Sequence, residues 1–258
     1  MKVPRVNILG VGVCALTMAQ AVNTIISWID KEEHQYVCVT GVHGVMESQR
    51  SERIRGIHNA AGLVTPDGMP LVWLCRLAGY RYVERVYGPD LMLALCEQSQ
   101  SYGFRHFFYG GAPGVAEALV ARLLQYYPKL QIAGTYTPPF RQLTETEDQA
   151  IVDMINQTDP HIVWVGLSTP KQEIWMAEHV HKLRANALIG VGAAFDFHSG
   201  HKRQAPRWMQ HSGLEWLFRL ITEPNRLWRR YLINNPLFIW LILGEMLRKR
   251  IRTFEQDT

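Results

Sequence analysis

Short apolar runs at residues 6–11, 36–40, 63–65, 106–109, 131–135, 162–165 and 187–191 alternate with longer amphipathic segments at 17–29, 45–60, 70–77, 89–101, 114–127, 145–157 and 171–181. A short apolar run bounded by turn residues predicts a buried strand, whereas apolar positions at helical spacing predict an amphipathic helix. Their alternation predicts a Rossmann-like α/β fold, a mostly parallel sheet with helices on both faces. Past Pro206 the pattern changes: helical periodicity continues through Pro224 towards the end, and no strand-like run interrupts it. The expected organisation is an α/β domain over 1–200 and a C-terminal helical appendage over 201–258.

In open α/β sheets, ligands bind beyond the carboxyl ends of the strands, so each expected strand end is a candidate site. The ends read Gly10-Val11-Gly12, Thr40-Gly41-Val42-His43, Thr65-Pro66-Asp67-Gly68-Met69-Pro70, Tyr109-Gly110-Gly111-Ala112-Pro113-Gly114, Gly166-Leu167-Ser168-Thr169-Pro170-Lys171-Gln172-Glu173 and Gly192-Ala193-Ala194-Phe195-Asp196-Phe197. The third is the most informative. Pro66 and Pro70 restrict φ, so Asp67 is held in a stiff turn where a carboxylate has little freedom to swing away. Two readings stand side by side for Asp67: cap of the helix beginning near Met69, or a chemical group aimed at a substrate.

Composition narrows the class. The chain has 258 residues, 47% of them hydrophobic, enough for one good-sized domain with an appendage. Cys14, Cys38, Cys75 and Cys96 are widely spaced in apolar segments without a CxxC pair, as expected of reduced core thiols in a cytosolic protein. The N-terminus lacks a signal-peptide apolar region, and no run reaches the roughly 20 apolar residues of a membrane span. The net charge of +4 is uneven: residues 201–258 carry 11 Lys/Arg against 5 Asp/Glu, and four of the eight tryptophans, Trp208, Trp216, Trp228 and Trp240, lie there. Basic residues interleaved with Trp suit a phosphate-rich partner that also has an apolar side. The first 200 residues are net acidic and hold no RRM, KH or helix-turn-helix pattern, which argues against a nucleic-acid surface.

The remaining motifs each carry a functional and a structural reading. Gly110 and Gly111 open a turn whose N–H groups suit an anion, or simply start a helix. Gln172 suits a cleft, while Lys171 and Glu173 read as solvated. Asp196, flanked by two Phe residues, suits a ribose hydroxyl or a structural cap. Tyr136, Pro138, Pro139 and Phe140 suit an aromatic wall for a base or sugar, or plain packing. Arg85 is expected to pair with Asp90, with contact to an acceptor as the alternative. There is no DxD triplet and no convincing metal-ligand set, so any diphosphate must be met by helix N-termini and by arginines, for which Arg203, Arg207, Arg219, Arg226, Arg229 and Arg230 are candidates. Gly10-Val11-Gly12-Val13-Cys14-Ala15 lacks the third glycine of a dinucleotide fingerprint.

With these residues in view, the chain resembles the WecG/TagA/CpsF family of bacterial glycosyltransferases. The carrying segments are Thr65–Trp73, Arg85-Val86-Tyr87-Gly88-Pro89-Asp90-Leu91-Met92, Tyr109-Gly110-Gly111, Gly166–Glu173, Gly190–Phe197, Ala205-Pro206-Arg207-Trp208, Gly213-Leu214-Glu215-Trp216 and Glu223-Pro224. The resemblance implies an inverting, metal-independent enzyme without a cofactor. Such an enzyme moves a hexose-type sugar from a UDP-sugar to a polyprenyl-diphosphate-linked saccharide in cell-surface polysaccharide synthesis, working peripherally at the inner face of the cytoplasmic membrane. It also implies roles: Asp67 as general base, Thr40 and Gln172 lining the active site, Asp196 near the nucleoside, and the C-terminal arginines docking on the membrane and closing over the diphosphate. One departure is visible. Many members carry Asn two residues after Thr40, where this chain has Val42 followed by His43, which makes His43 the candidate substitute. The competing class is a non-catalytic nucleotide- or nucleic-acid-binding module. The apolar C-terminal residues also fit a homo-oligomer interface.

Overall fold

The computed structural model describes residues 3–247. In chain order the first elements are β1 (Arg5–Ile8), β2 (Val11–Cys14), α1 (Met18–Asp30), β3 (Gln35–Thr40), α2 (Val42–Arg50), α3 (Glu52–Ala60), β4 (Leu63–Pro66) and α4 (Met69–Leu77). There follow α5 (Gly88–Tyr102), β5 (Arg105–Gly110), α6 (Val115–Tyr126), β6 (Gln131–Tyr136), α7 (Glu145–Gln157), β7 (Ile162–Gly166), α8 (Lys171–His179), β8 (Ala187–Gly190) and α9 (Ala194–Ser199). The last are α10 (Arg207–His211), α11 (Glu215–Thr222), α12 (Pro224–Leu232) and α13 (Asn234–Leu247); residues 248–258 of the expected appendage lie outside the described residues.

Six strands form a parallel sheet in the order β4-β3-β8-β7-β5-β6, flanked by helices, which is the expected Rossmann-like α/β architecture. Chain contacts divide the molecule into two units, one made of the described residues up to Met18, Val39–Tyr87 and those from Gln204 on, the other of Ala19–Cys38 and Gly88–Arg203.

In the first unit, the run at 6–11 is not one parallel strand. It bends at Leu9-Gly10, both at positive φ, and Ile8 faces Val11 across a two-residue loop. Two central residues at positive φ are the signature of a type I′ hairpin, so β1 and β2 form a separate antiparallel pair and Gly10 is a turn residue, not a site residue. The helix expected over 45–60 is likewise two helices. Ser51 leaves α2 in an extended conformation, and its hydroxyl accepts the Ile54 N–H at the start of α3. Farther along, α11 packs on α12, α12 on α13, and α13 on α2.

In the second unit, β3, β8, β7, β5 and β6 pair in continuous parallel register, apart from one irregularity between His106 and Phe107. Positions on both of their faces are fully buried: Phe107, Phe108, Ile162, Val163, Trp164, Leu188 and Ile189. Such near-continuous apolar strands are what a sheet covered on both sides requires. Between β5 and β7, the Trp164 indole donates to His106 Nδ1 at 2.9 Å, and burial pushes His106 down to about 3, so it stays neutral. The capping box of α7 is complete, with Thr144 and Glu147 satisfying each other's backbone N–H. All four cysteines are free and buried.

Candidate active site

Asp67 stands in the first unit, one residue past β4, at the gap between strand and helix. Its N–H donates to the Thr40 carbonyl at 2.9 Å, so the ends of β3 and β4 are tied together and Thr40 and Asp67 become neighbours. Thr40 is buried, with its methyl directed at Gly44 of α2. The N-cap of α4 is Gly68, and Pro70 lies in the first helical turn, where its missing N–H costs nothing. Asp67 therefore precedes the capping position, and its carboxylate is 29% exposed.

The carboxylate faces Arg85, and the expected Arg85–Asp90 pair is not what the structure holds. Arg85 Nη2 lies 2.6 Å from Glu215 Oε2 and 3.9 Å from Asp67 Oδ1. Its Nε donates to the Asp67 carbonyl, and its guanidinium packs over the Tyr87 ring at 4.0 Å. The Tyr87 hydroxyl donates to the other Glu215 oxygen at 2.9 Å. Segment 85–87 runs beside the end of β4, the Val86 N–H donating to the Pro66 carbonyl at 3.0 Å, and this places Arg85 next to the Asp67 turn. Burial disfavours the Arg85 charge, but Asp67 and Glu215 outweigh it and raise its pKa. Burial, followed by the Glu215 and Asp67 charges, pushes the Tyr87 phenol up, so Tyr87 remains a donor.

Helices α11 and α12 bring further cations to this unit. Arg219 is 4.0 Å and Arg226 2.6 Å from Glu223. Burial pulls the Arg230 pKa down, with the Arg219 and Arg226 charges adding to it and Asp67 opposing. Arg230 Nε is buried and has no hydrogen-bond partner among the described residues. Arg207 is exposed at the start of α10, and Arg229 stacks near Trp228. His43, on α2, meets the Asn234 amide of α13 at 3.2 Å and Glu47 at 3.7 Å.

In the second unit, Gln172 and Glu173 open α8 and both are buried, which corrects the expectation of a solvated Glu173. A carboxylate is tolerated there because Thr169 Oγ1 (2.8 Å) and Gln172 Nε2 (3.3 Å) both donate to Glu173 Oε1. Gln172 Oε1 and Glu173 Oε2 remain buried acceptors without a hydrogen-bond partner among the described residues. The Gln172 amide lies against Gly190 and Gly192 at the end of β8. Gly110 closes β5 and Gly111 follows it, and both have positive φ. Asp196 sits in the first turn of α9 and pairs with Lys202 at 2.8 Å. Tyr136 stacks on Tyr109 with ring centres 5.9 Å apart, while Phe140 is 96% exposed and forms no wall with it. Arg203 is exposed. Among the described residues no group of three or more His, Cys, Asp or Glu side chains is placed to hold a metal ion.

A family model described as "Glycosyl transferase WecG/TagA/CpsF family" matches residues 6–252, almost the whole chain. The chain belongs to this family. Among curated WecG/TagA/CpsF-like relatives, it is 27% identical over 217 residues to an N-acetylglucosaminyldiphosphoundecaprenol N-acetyl-beta-D-mannosaminyltransferase of Bacillus spizizenii, covering 84% of this chain and 82% of the relative. It is 30% identical over 192 residues to the protein of the same name from Bacillus subtilis (strain 168), covering 74% of this chain and 72% of the relative. This WecG/TagA/CpsF chain is thus a glycosyltransferase by family. Reading its sequence missed Glu215 and Tyr87 as companions of Arg85. The signal was present only as the acid in Gly213-Leu214-Glu215-Trp216, whose partner lies far away in sequence.

Proposed function

We propose that the protein is an inverting, metal-independent transferase that moves a hexose-type sugar from a UDP-sugar to a polyprenyl-diphosphate-linked saccharide in cell-surface polysaccharide synthesis. The observation that carries the reading is the Asp67 carboxylate, partly exposed at a strand end, anchored through its backbone to Thr40 and facing the partly buried Arg85 guanidinium. Asp67 takes the proton of an acceptor hydroxyl as that oxygen attacks the anomeric carbon. The bond from that carbon to the diphosphate breaks, and UDP leaves with the electron pair. Arg219, Arg226 and Arg230 supply the positive field for the departing diphosphate, and the unpartnered Arg230 Nε suits an incoming anion. In the second unit, taken by itself, Gln172 Oε1 retains the capacity to accept from a hydroxyl or N–H. The names of the two Bacillus relatives support a lipid-diphosphate sugar as acceptor.

The test is turnover with a panel of donors (UDP-N-acetylmannosamine, UDP-N-acetylglucosamine, UDP-glucose and UDP-glucuronate) and a short-chain prenyl-diphosphate N-acetylglucosamine. Release of UDP with one donor, undiminished by EDTA, is the expected result. No UDP release with any of the four, or loss of it with EDTA, overturns the reading.

The same reading places the protein on the cytoplasmic face of a membrane. No helix among the described residues is long and apolar enough to cross one. Helix α13 nevertheless shows solvent a set of apolar side chains, Leu237, Ile239, Trp240, Leu243 and Leu247, the last 85% exposed, and Ile233 just before it adds another. With basic residues near anionic headgroups contributing about 1 kcal/mol each, this surface suits peripheral binding. Truncation is a poor test, because α11 and α13 anchor residues of the first unit through Glu215 and Asn234. In the full chain, Trp240→Glu with Leu243→Glu is expected to cut sedimentation with phosphatidylglycerol vesicles by about tenfold or more, from the apolar burial lost. Unchanged sedimentation together with a switch from dimer to monomer in light scattering would make the surface an oligomer interface instead.

A further inference from the structure

Among the described residues only two acidic side chains are buried, Glu173 and Glu215, and taking a carboxylate out of water is costly unless its oxygens are paired. Glu215 directs both oxygens at segment 85–87: Oε2 meets Arg85 Nη2 at 2.6 Å and Oε1 accepts from the Tyr87 hydroxyl at 2.9 Å. The same Nη2 is 3.9 Å from Asp67 Oδ1, too far for a hydrogen bond and close enough for a strong field. The remaining Arg85 donors are also directed elsewhere, Nε to the Asp67 carbonyl and Nη1 towards the Gln210 carbonyl at 3.5 Å. One guanidinium is therefore shared unequally between two carboxylates, and the acid on α11 holds the closer share.

The geometry points to Glu215 as a positioning residue that keeps Arg85 from closing a tight ion pair onto Asp67, and so keeps Asp67 basic enough to accept a proton. The inference rests on the reading of Asp67 as the base. A carboxylate bound directly by a guanidinium is a poor base, because the pair stabilises its charged form. Glu215 opposes this twice, by competing for the guanidinium and by adding a negative charge nearby. Both effects raise the proton affinity of Asp67. The other groups around this cluster are Tyr87, which burial holds neutral, Arg219 on α11, and Arg230 and Tyr231 on α12. Of these, Arg230 acts on Asp67 in the direction of lower basicity, which makes the counterweight from Glu215 more useful.

Glu215→Gln keeps the shape and one acceptor oxygen for Arg85 while removing the charge, and its amide NH2 can donate to the Tyr87 hydroxyl oxygen, so the full chain is expected to fold. With the donor that turns over and the prenyl-diphosphate N-acetylglucosamine acceptor, kcat is expected to fall about tenfold or more as the base weakens. The acid limb of the kcat/KM–pH profile should move to lower pH by about one unit, as direct Arg pairing does to a carboxylate. Glu215→Asp retains the charge but retracts it from Arg85, and should move the same limb in the same direction by less. This second variant carries the test if the first does not fold. An acid limb that stays in place or moves to higher pH in the folded variants overturns the inference, even if thermal stability or kcat falls. The parent reading fails separately: if Asp67→Asn keeps its turnover, Asp67 is not the base. If Asp67→Asn is inactive and the Glu215 variants leave the limb unmoved, only the role of Glu215 is lost.

Discussion

Asp67→Asn is expected to lower turnover by about 10²–10⁴-fold while leaving the fold and UDP-sugar binding intact. That range is what a positioned general base typically contributes. The substitution is nearly isosteric, and the anchoring hydrogen bond of residue 67 to Thr40 comes from its backbone, so the turn between β4 and α4 keeps its shape. Arg85 keeps its shorter pair with Glu215 and is not left as an uncompensated buried cation, the usual route by which removing an acid unfolds a protein. Circular dichroism and donor binding by calorimetry should match the wild type, and single-turnover kinetics should show the loss in the chemical step. Turnover within about threefold of wild type would remove Asp67 from the role of base.

The second large effect is structural and falls at the end of β5. Gly110 has φ of +122°, a conformation that L side chains rarely adopt, and a Cβ there would lie 2.7 Å from the carbonyl carbon and oxygen of Gly166. Neither atom belongs to a flexible side chain; both are backbone of β7, paired in register with β5. Gly110→Ala must therefore wedge these central strands apart, and is expected to cost more than about 4 kcal/mol or to give no soluble protein. Gly114→Ala is the matched control. Its φ is also positive, at +82°, yet nothing lies within 4 Å of the new Cβ, so only the conformational penalty of about 1–2 kcal/mol applies. Urea unfolding of the two variants separates steric from conformational cost, and similar losses in both would refute the steric account.

What the sequence disclosed and what it hid divide along one physical line. Signals carried by neighbouring residues were legible. The strands from β5 to β8 stand out because each is an apolar run closed by glycine or polar residues, and α7 because Thr144 and Glu147 spell its start within four positions. The Asp67 turn was legible for the same reason, with prolines on either side of it. The hairpin at the N-terminus was missed because Leu9 is apolar and its turn looks like continued strand. The break at Ser51 was missed because helical periodicity persists through it. Pairings across long sequence distances were beyond reach. Arg85 has an acid five residues away at Asp90, but its close partner is Glu215, 130 residues on. Glu173 looked like a surface residue because the local pattern shows a polar helix start and not the packing that buries it, where Thr169 and Gln172 meet Oε1 alone.

The path of the chain between the two units bears on how the protein is made. Residues of the β1–β2 hairpin belong to the same unit as α11–α13, while Ala19–Cys38 and Gly88–Arg203 form the other. Synthesis from the N-terminus delivers the hairpin before α11–α13. At translation rates of about 5–20 residues per second, roughly 10–40 s separate the two. The hairpin packs against β4, α3 and α4, so Val6, Val11 and Val13, all fully buried in the finished protein, find these partners well before α11–α13 are made. The unit that carries Asp67 therefore waits for α11, whose Glu215 completes the Arg85 cluster beside that carboxylate, long after its hairpin and strand have been made.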